Sequence, residues 1–267
     1  MSKDKFKRSN VRSKILKSII IRVDFKGLTD IMGCVDSLKK LVMQGKFDKF
    51  APVNNKNYNV EVKTSLSDNQ GVNVNLENRT FFQFSECKIG PSKAHFLLGD
   101  DFGYIKIDCA ENYEGCNEYI KLMANVIYTI KDFDPFISIQ RLGLRKIDVA
   151  EFPSAENMKQ SVEIPIWDNY KLGNAYVPLR KLYSDLLFQK DVKTVFNIQR
   201  KVQLINENKF QYTLDIDSYK NGSFICLDDL STTQRIENMI SEQMNVPVFN
   251  YFIDTFTETY LEQFYER

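Results

Sequence analysis

The sequence predicts an α+β fold in which a mainly antiparallel sheet is packed by helices. Two segments have the pattern of hairpins: residues 95–98 and 102–109 flank the turn sequence GDDFG, and two alternating strands within 193–217 flank the loop INENK. Apolar residues recur every three to four positions over 28–42 and 112–131, which predicts two amphipathic helices. Hairpins combined with few helices are typical of α+β proteins rather than of doubly wound parallel sheets.

The N-terminal part places strands and helices in a recognisable order. A buried strand at 19–25 precedes the first helix, and weak strands at 58–64 and 72–76 follow it. Beyond the second helix a long strand is predicted at 136–149, and Gly143 in its middle indicates a bulge or a close backbone approach. The order strand, helix, strands, helix, strand predicts a ferredoxin-like N-terminal part.

The chain divides into four sequence regions. They are a basic arm at 1–18, an α+β part at 19–149, an irregular connection with a short helix near 179–189 at 150–192, and a hairpin with C-terminal helices at 193–267. An alternative is that residues 19–267 form one domain, because a chain of this length can build one large core or two small ones.

The end of the chain predicts a helical pair, near 229–244 and from Pro247 onwards. The second helix carries an aromatic stripe at four-residue spacing, made of Val248, Phe252, Phe256, Tyr260 and Phe264. We expect this stripe to pack on the sheet. A homodimer formed through the C-terminal helix is the alternative use of the same surface.

Composition excludes several classes of site. The 267 residues carry 36 Lys and Arg against 35 Asp and Glu, so the formal net charge is +1, which argues against a generally basic nucleic-acid-binding protein. A single His excludes zinc sites that need two imidazoles. The five cysteines form no CxxC pair and indicate free thiols. No apolar run is long enough for a membrane span, so we expect a cytoplasmic protein with no membrane contact, no metal and no cofactor.

Two carboxylates are the first candidates for a ligand or partner site. Asp215 and Asp217 lie two residues apart in a predicted strand, so both side chains leave the same face. Two carboxylates on one face can hold a divalent cation. The simpler interpretation is a solvated face or ion pairs with the preceding strand, where Arg200 and Lys201 are available.

Two arginines are the second candidates. Arg141 and Arg145 stand four residues apart around Gly143, and both project to one side unless a bulge shifts the register. Guanidinium groups beside a glycine can bind phosphate or carboxylate. Structural ion pairs with Asp215, Asp217 or Asp148 are the favoured interpretation.

Two further features complete the candidates. The basic arm, with Lys5, Lys7, Arg8 and Arg12, is either a solvated leader or an electrostatic arm for nucleic acid or an acidic partner. His95 is either a lone catalytic base paired with Cys87 or Cys109 or, as we prefer, a structural histidine whose hydrogen bonds are satisfied.

Four short segments resemble a sporadically distributed family of uncharacterised prokaryotic proteins of about 250 residues. They are QRLGLRKIDV at 140–149, similar to the family's R-x-G-L-R-Y-x-N strand, NYEGCNEYI at 112–120, TLDIDSY at 213–219 and VFNYFIDTFTETY at 248–260. The order and spacing of these segments cover most of the chain.

This chain departs from that family at two positions of the arginine strand. Lys146 and Asp148 stand where the family has Tyr and Asn, and the helical segment lacks the family's Trp. The resemblance implies an intracellular prokaryotic protein, of a kind associated with mobile or defence gene clusters, and no known activity. It points to Arg141, Gly143, Leu144, Arg145, Asp215 and Asp217.

The function expected from these observations is a non-catalytic interaction module that binds a partner protein, within a defence or toxin–antitoxin-like system. A nucleic-acid-binding protein or nuclease that uses the basic arm, Arg141 and Arg145 is one alternative. An enzyme on phosphorylated or nucleotide substrates, with a metal held by Asp215 and Asp217, is the other.

Overall fold

One nine-stranded sheet organises the structure. The computed structural model of the chain describes residues 3–7, 14–44, 46–63, 71–109, 113, 115–163, 171–172, 175–176, 181–189, 193–206 and 209–264. Its strands are β1 (Leu16–Lys26), β2 (Phe47–Lys63), β3 (Gly71–Cys87), β4 (Lys93–Leu98), β5 (Phe102–Asp108), β6 (Ser138–Phe152), β7 (Lys171–Leu172), β8 (Ala175–Tyr176), β9 (Lys181–Gln189), β10 (Thr194–Leu204) and β11 (Phe210–Asn221). The strand order is β2-β3-β4-β5-β1-β6-β11-β10-β9, and β7 pairs with β8 separately.

The helices are α1 (Ile31–Met43), α2 (Asn117–Phe133), α3 (Ala155–Ser161), α4 (Thr233–Asn238), α5 (Val246–Thr255) and α6 (Glu258–Leu261). All recorded strand pairings are antiparallel, so the predicted α+β class is confirmed. The N-terminal part differs from a ferredoxin-like unit, because four strands rather than two stand between α1 and α2.

The two faces of the large sheet have different environments. On the covered face, alternate residues of each central strand are buried against the helices, as Ile19, Ile21 and Val23 of β1 show. On the other face, the intervening side chains are mostly half-buried, and we call it the open face. Antiparallel sheets commonly have one packed and one solvated face.

The C-terminal helices lie on the covered face. Residues 233–255 are helical without a break, because a π-helical stretch at Met239–Asn245 joins α4 to α5. The predicted pair is therefore one helix with a change of pitch, followed by the short α6. The aromatic stripe packs on the sheet as predicted: Phe256 lies edge-on to Tyr212 of β11 and Tyr260 lies 5.4 Å from Phe152 of β6, between ring centres. Since these rings are buried, the stripe is not a surface for a second copy.

One local prediction in the later part of the chain was wrong. Residues 181–189 form strand β9 rather than a helix, since Leu186 and Leu187 alternate between faces and pair with Ile198 and Asn197 of β10. The short helix of this region is instead α3, capped by the Ser154 side chain. After β11 the chain forms a 3₁₀ turn at Gly222–Phe224.

Gly222 allows that turn to sit against β6. A Cβ atom at this position would lie 2.0 Å from the carbonyl oxygen of Ile139, and backbone cannot yield as a side chain can. We expect Gly222→Ala to lower the free energy of unfolding by about 1–3 kcal/mol in denaturant titration. The control is Gly103→Ala, whose Cβ would meet only side chains at 3.5 Å or more. Equal stability of the two variants would contradict the argument.

Asp148 is a buried carboxyl on the covered face of β6. Burial raises its pKa to about 7, while neighbouring Lys146 opposes the shift and Asp215 adds to it. The hydroxyls of Tyr212 and Tyr260 lie in the same region, and their pKa values are also raised, chiefly by burial.

This carboxyl makes stability depend on pH with a definite sign. The folded protein keeps the Asp148 proton up to about pH 7, whereas an unfolded chain releases it near pH 4. Unfolding therefore releases a proton between these values, and this group's contribution to stability falls as the pH rises. We therefore expect the wild type to lose unfolding free energy relative to Asp148→Asn as the pH rises from 4 to 7, measured by denaturant titration of both proteins. A difference that stays constant with pH would refute the assignment.

Candidate functional site

The centre of the open face holds both predicted pairs of charged residues. Strand β6 lies between β1 and β11, so its arginines stand beside carboxylates of both neighbours. In the register of β6 and β11, Arg145 is directly opposite Asp217 and Gly143 is opposite Tyr219. The ion pairs expected between the arginines and Asp215 and Asp217 are present. Each arginine binds an aspartate that lies diagonally across from it rather than the residue directly opposite.

Arg141 extends past Gly143 to the carboxylate of Asp217. Its guanidinium runs along β6 and places Nη2 2.5 Å from Oδ2 of Asp217, four residues beyond its own partner position at Asn221. It also stacks 4.4 Å from the ring centre of Tyr219. A Cβ atom on Gly143 would lie 3.0 Å from Cβ of Tyr219 and 3.3 Å from the Ser218 carbonyl oxygen, but at an ordinary 3.5 Å from Nη2. The predicted close approach at Gly143 is thus an approach to β11.

Arg145 holds Asp215 by two parallel hydrogen bonds. Its Nε donates to Oδ1 at 2.8 Å and its Nη2 to Oδ2 at 2.5 Å. This fork geometry is the strong form of an arginine–carboxylate pair. The hydrogen bond to Asp215 raises the pKa of Arg145, so the guanidinium is charged over the whole physiological range.

Arg22 and Asp24 of β1 join these two ion pairs and keep the charges balanced. Arg22 of β1 donates from Nε to Asp24 at 2.7 Å, and Asp24 lies 3.7 Å from Nη1 of Arg141. Three arginines therefore meet three aspartates. We call this set the arginine–aspartate cluster; it consists of Arg22, Asp24, Arg141, Arg145, Asp215 and Asp217.

The geometry does not favour a cation between Asp215 and Asp217, since each carboxylate accepts hydrogen bonds from a different arginine. In the described part of the chain, no three His, Cys, Asp or Glu side chains are placed to hold a metal. Of the two residues suggested as partners of Asp215 and Asp217 on the preceding strand, Arg200 was wrong. Arg200 points to the covered face, where it bonds to the Tyr251 hydroxyl.

An aromatic band continues the open face on the other side of β1. It consists of Phe81, Phe102, Tyr104 and His95, and successive ring centres are 5.6, 6.0 and 5.8 Å apart. The guanidinium of Arg22 lies 4.9 Å from the ring centre of Phe102, so the band and the arginine–aspartate cluster are in contact. Most of these side chains were not recognised from the sequence. The i, i+2 spacing of Phe102 and Tyr104 was a usable signal, but their meeting with Arg22 depends on strand order.

His95 belongs to this band rather than to a catalytic pair. Its ring stands edge-on to Tyr104, and burial lowers its pKa, with Lys106 acting in the same direction. Cys87 instead contacts the Tyr119 hydroxyl of α2, and burial raises the pKa of the Cys109 thiol to about 12. The thiols proposed as partners are therefore poor nucleophiles.

The basic arm is bound where it is described. Lys3 donates to the carbonyl oxygens of Ile253 and Phe256 at the end of α5, which is a favourable place for a cation. Lys5 forms ion pairs with Glu258 and Glu262 at 2.6 and 2.7 Å. These contacts occupy the charge of Lys5 within the chain. Arg8 and Arg12 lie outside the described residues, and Lys7 is exposed with interactions of its own.

A cavity of about 210 Å³ lies away from both features, at the N-terminus of α2. Ile89, Pro91, Tyr113 and Tyr119 form much of its wall. None of the described residues predicted as a site lines it. Among the described wall residues Glu118 is the charged one, and it is paired with Lys121 at 2.7 Å.

Arg141 and Asp217 are the contact in this cluster best suited to measurement. Burial raises the pKa of Asp217 and the two arginines lower it, so loss of Arg141 leaves a half-buried carboxylate with less compensation. We expect Arg141→Ala to cost about 1–3 kcal/mol at pH 8 and less at pH 4, where Asp217 can be protonated. Denaturant titration at both pH values measures this.

A double-mutant cycle with Asp217→Ala supplies the control. We expect the two single effects to exceed the effect of the double variant by about 0.5–3 kcal/mol. Additive effects would show that the contact contributes nothing to folding. The pair Lys121 and Glu118, on the exposed surface of α2, should show no measurable coupling in the same cycle.

No helix in the described part is long and apolar enough to cross a membrane. Family models, curated proteins and solved structures gave no match to this chain.

Proposed function

We propose that this chain is a non-catalytic binding module that holds a partner protein on the open face of its sheet. The observation that carries the proposal is the continuity of the aromatic band with the arginine–aspartate cluster through the contact of Arg22 with Phe102. Aromatic residues and arginine are the residue types enriched in the centres of protein interfaces. Here they lie on one face of the sheet and are half-buried.

The balance of charge favours a protein over a nucleic acid. Each arginine of the cluster is matched by an aspartate, and Lys106 beside the aromatic band is paired with Asp108 at 3.1 Å. A nucleic acid is bound largely through Lys and Arg side chains of the protein that pair with its backbone phosphates, so these cations must not already be matched within the protein. A partner protein of mixed charge requires no such excess. Stacked aromatic rings on a sheet also suit single-stranded nucleic acid, which makes that ligand the natural competing outcome.

The candidate titratable side chains of the described open face are bound to neighbours within the chain. Among the described residues, the candidate acids are bound to arginines and His95 packs against Tyr104. Nucleophile and base side chains in a covalent enzyme are within hydrogen-bond reach of one another. Arg22 and Tyr104 are therefore proposed as contacts for a partner rather than as groups in a reaction.

The test is capture of a stoichiometric partner by the tagged full chain and its loss in open-face variants. We expect Arg22→Ala and Tyr104→Ala each to weaken binding about 30-fold, as residues central to an interface do. Lys121→Ala, a change at an exposed residue of α2, should bind as the wild type does. Hydrogen exchange of the complex should show added protection in β1, β5 and β6.

Three outcomes would overturn the proposal. They are recovery of no stoichiometric protein, retention of the partner by both open-face variants, and a bound component that nuclease treatment removes. Thermal unfolding of each variant excludes loss of binding through loss of fold.

A further inference from the structure

Strand β9 ends the sheet with an apolar edge. In the described part of the chain it pairs on one side with β10, and no strand pairs with its other side. Leu187 is 70% exposed, Tyr183 54% and Phe188 46%. An unpaired strand of this kind is a template for another chain, and natural proteins usually protect it with charge or proline.

The opposite edge of the same sheet has that protection. Strand β2 carries Lys49, bound to Glu86, and Pro52, both on its described part. Strand β9 begins at Lys181, and over residues 183–188 its one charged residue is Asp185, which lies between the exposed Tyr183 and Leu187. The exposed apolar side chains of this stretch indicate that β9 has an apolar partner.

The strand is complementary to itself. If two copies pair antiparallel about a twofold axis at Asp185, residues whose numbers sum to 370 face each other. Tyr183 then lies opposite Leu187 of the second copy, and by symmetry this apolar pair forms twice on the open face. The same register places Ser184 opposite Leu186, and the two Asp185 residues opposite each other. A foreign strand would need to match this arrangement by chance, whereas a second copy does so by symmetry.

We propose that the chain forms a homodimer by antiparallel pairing of β9 with β9 of a second copy. The pairing joins two nine-stranded sheets and makes their open faces one continuous surface. Backbone hydrogen bonds and the two Tyr183–Leu187 pairs favour the dimer. The two facing Asp185 side chains oppose it, by a free energy similar to that of one Tyr183–Leu187 pair. The dimer is independent of the binding role proposed for the open face, since Tyr183 and Leu187 lie outside the aromatic band and the arginine–aspartate cluster.

Sedimentation equilibrium of the full chain, over micromolar to millimolar concentrations, tests the dimer. We expect the wild type to dimerise and Leu187→Lys to raise the dissociation constant at least tenfold. Tyr183→Lys should act in the same direction. Phe136→Lys is the matched control, because Phe136 is 92% exposed far from β9 in sequence and its change should leave the dimer intact. Melting curves confirm that each variant is folded.

Asp185 tests the register. We expect Asp185→Asn to tighten the dimer about two- to fivefold, since the like charges at the axis are removed. A mixture of wild type and Asp185→Lys should give more heterodimer than the statistical half, because Asp then faces Lys.

Contrary results are equally definite. A wild type that stays monomeric at all concentrations, or a dimer that survives both Leu187→Lys and Tyr183→Lys, overturns the proposal. A dimer that Asp185→Asn weakens overturns the register. None of these results bears on partner capture by Arg22 and Tyr104.

Discussion

The pairing of β6 on both of its edges is the constraint on which the candidate site depends. One edge joins β1, from the beginning of the chain, and the other joins β11, from its last third. Arg141 reaches Asp24 on one side and Asp217 on the other only because both neighbours are in register. A shift by one residue would send every arginine and aspartate to the covered face. Hydrophobic burial on that face therefore also fixes the geometry of the open one.

Alternation along β6 separates two kinds of polar residue. Arg141 and Arg145 point to the open face, while Lys146 and Asp148 point to the helices and are buried. Between the two arginines, Gly143 keeps β6 close to β11, because a Cβ atom there would lie 3.0 Å from Cβ of Tyr219 and 3.3 Å from the Ser218 carbonyl oxygen. Neutral pairing of these arginines suits a surface that recognises shape and mixed charge.

Much of the fold could be predicted because it depends on local patterns. The hairpin of β4 and β5, the helix α2 and the opposite faces of Leu214 and Asp215 all follow from periodicity within one segment. Strand β9 could not be assigned in this way, because adjacent leucines fit both periods and pairing with β10 decides between them. The arginine–aspartate pairs were foreseen as a class of contact. The aromatic band required strand order, which brings β3, β4, β5 and β1 together in an order unlike the sequence.

The docking of the first described residues onto α5 and α6 has a consequence for how the protein is made. Lys3 contacts the carbonyl oxygen of Ile253, 250 positions later in the chain, and Phe6 nearby is buried. During synthesis Lys3 emerges long before the helices that bind it, because Ile253 follows it by 250 positions. Strand β1 likewise waits for β5 and then β6. Such long separations slow folding, so the nascent chain carries an apolar central strand without a partner until β5 has been made.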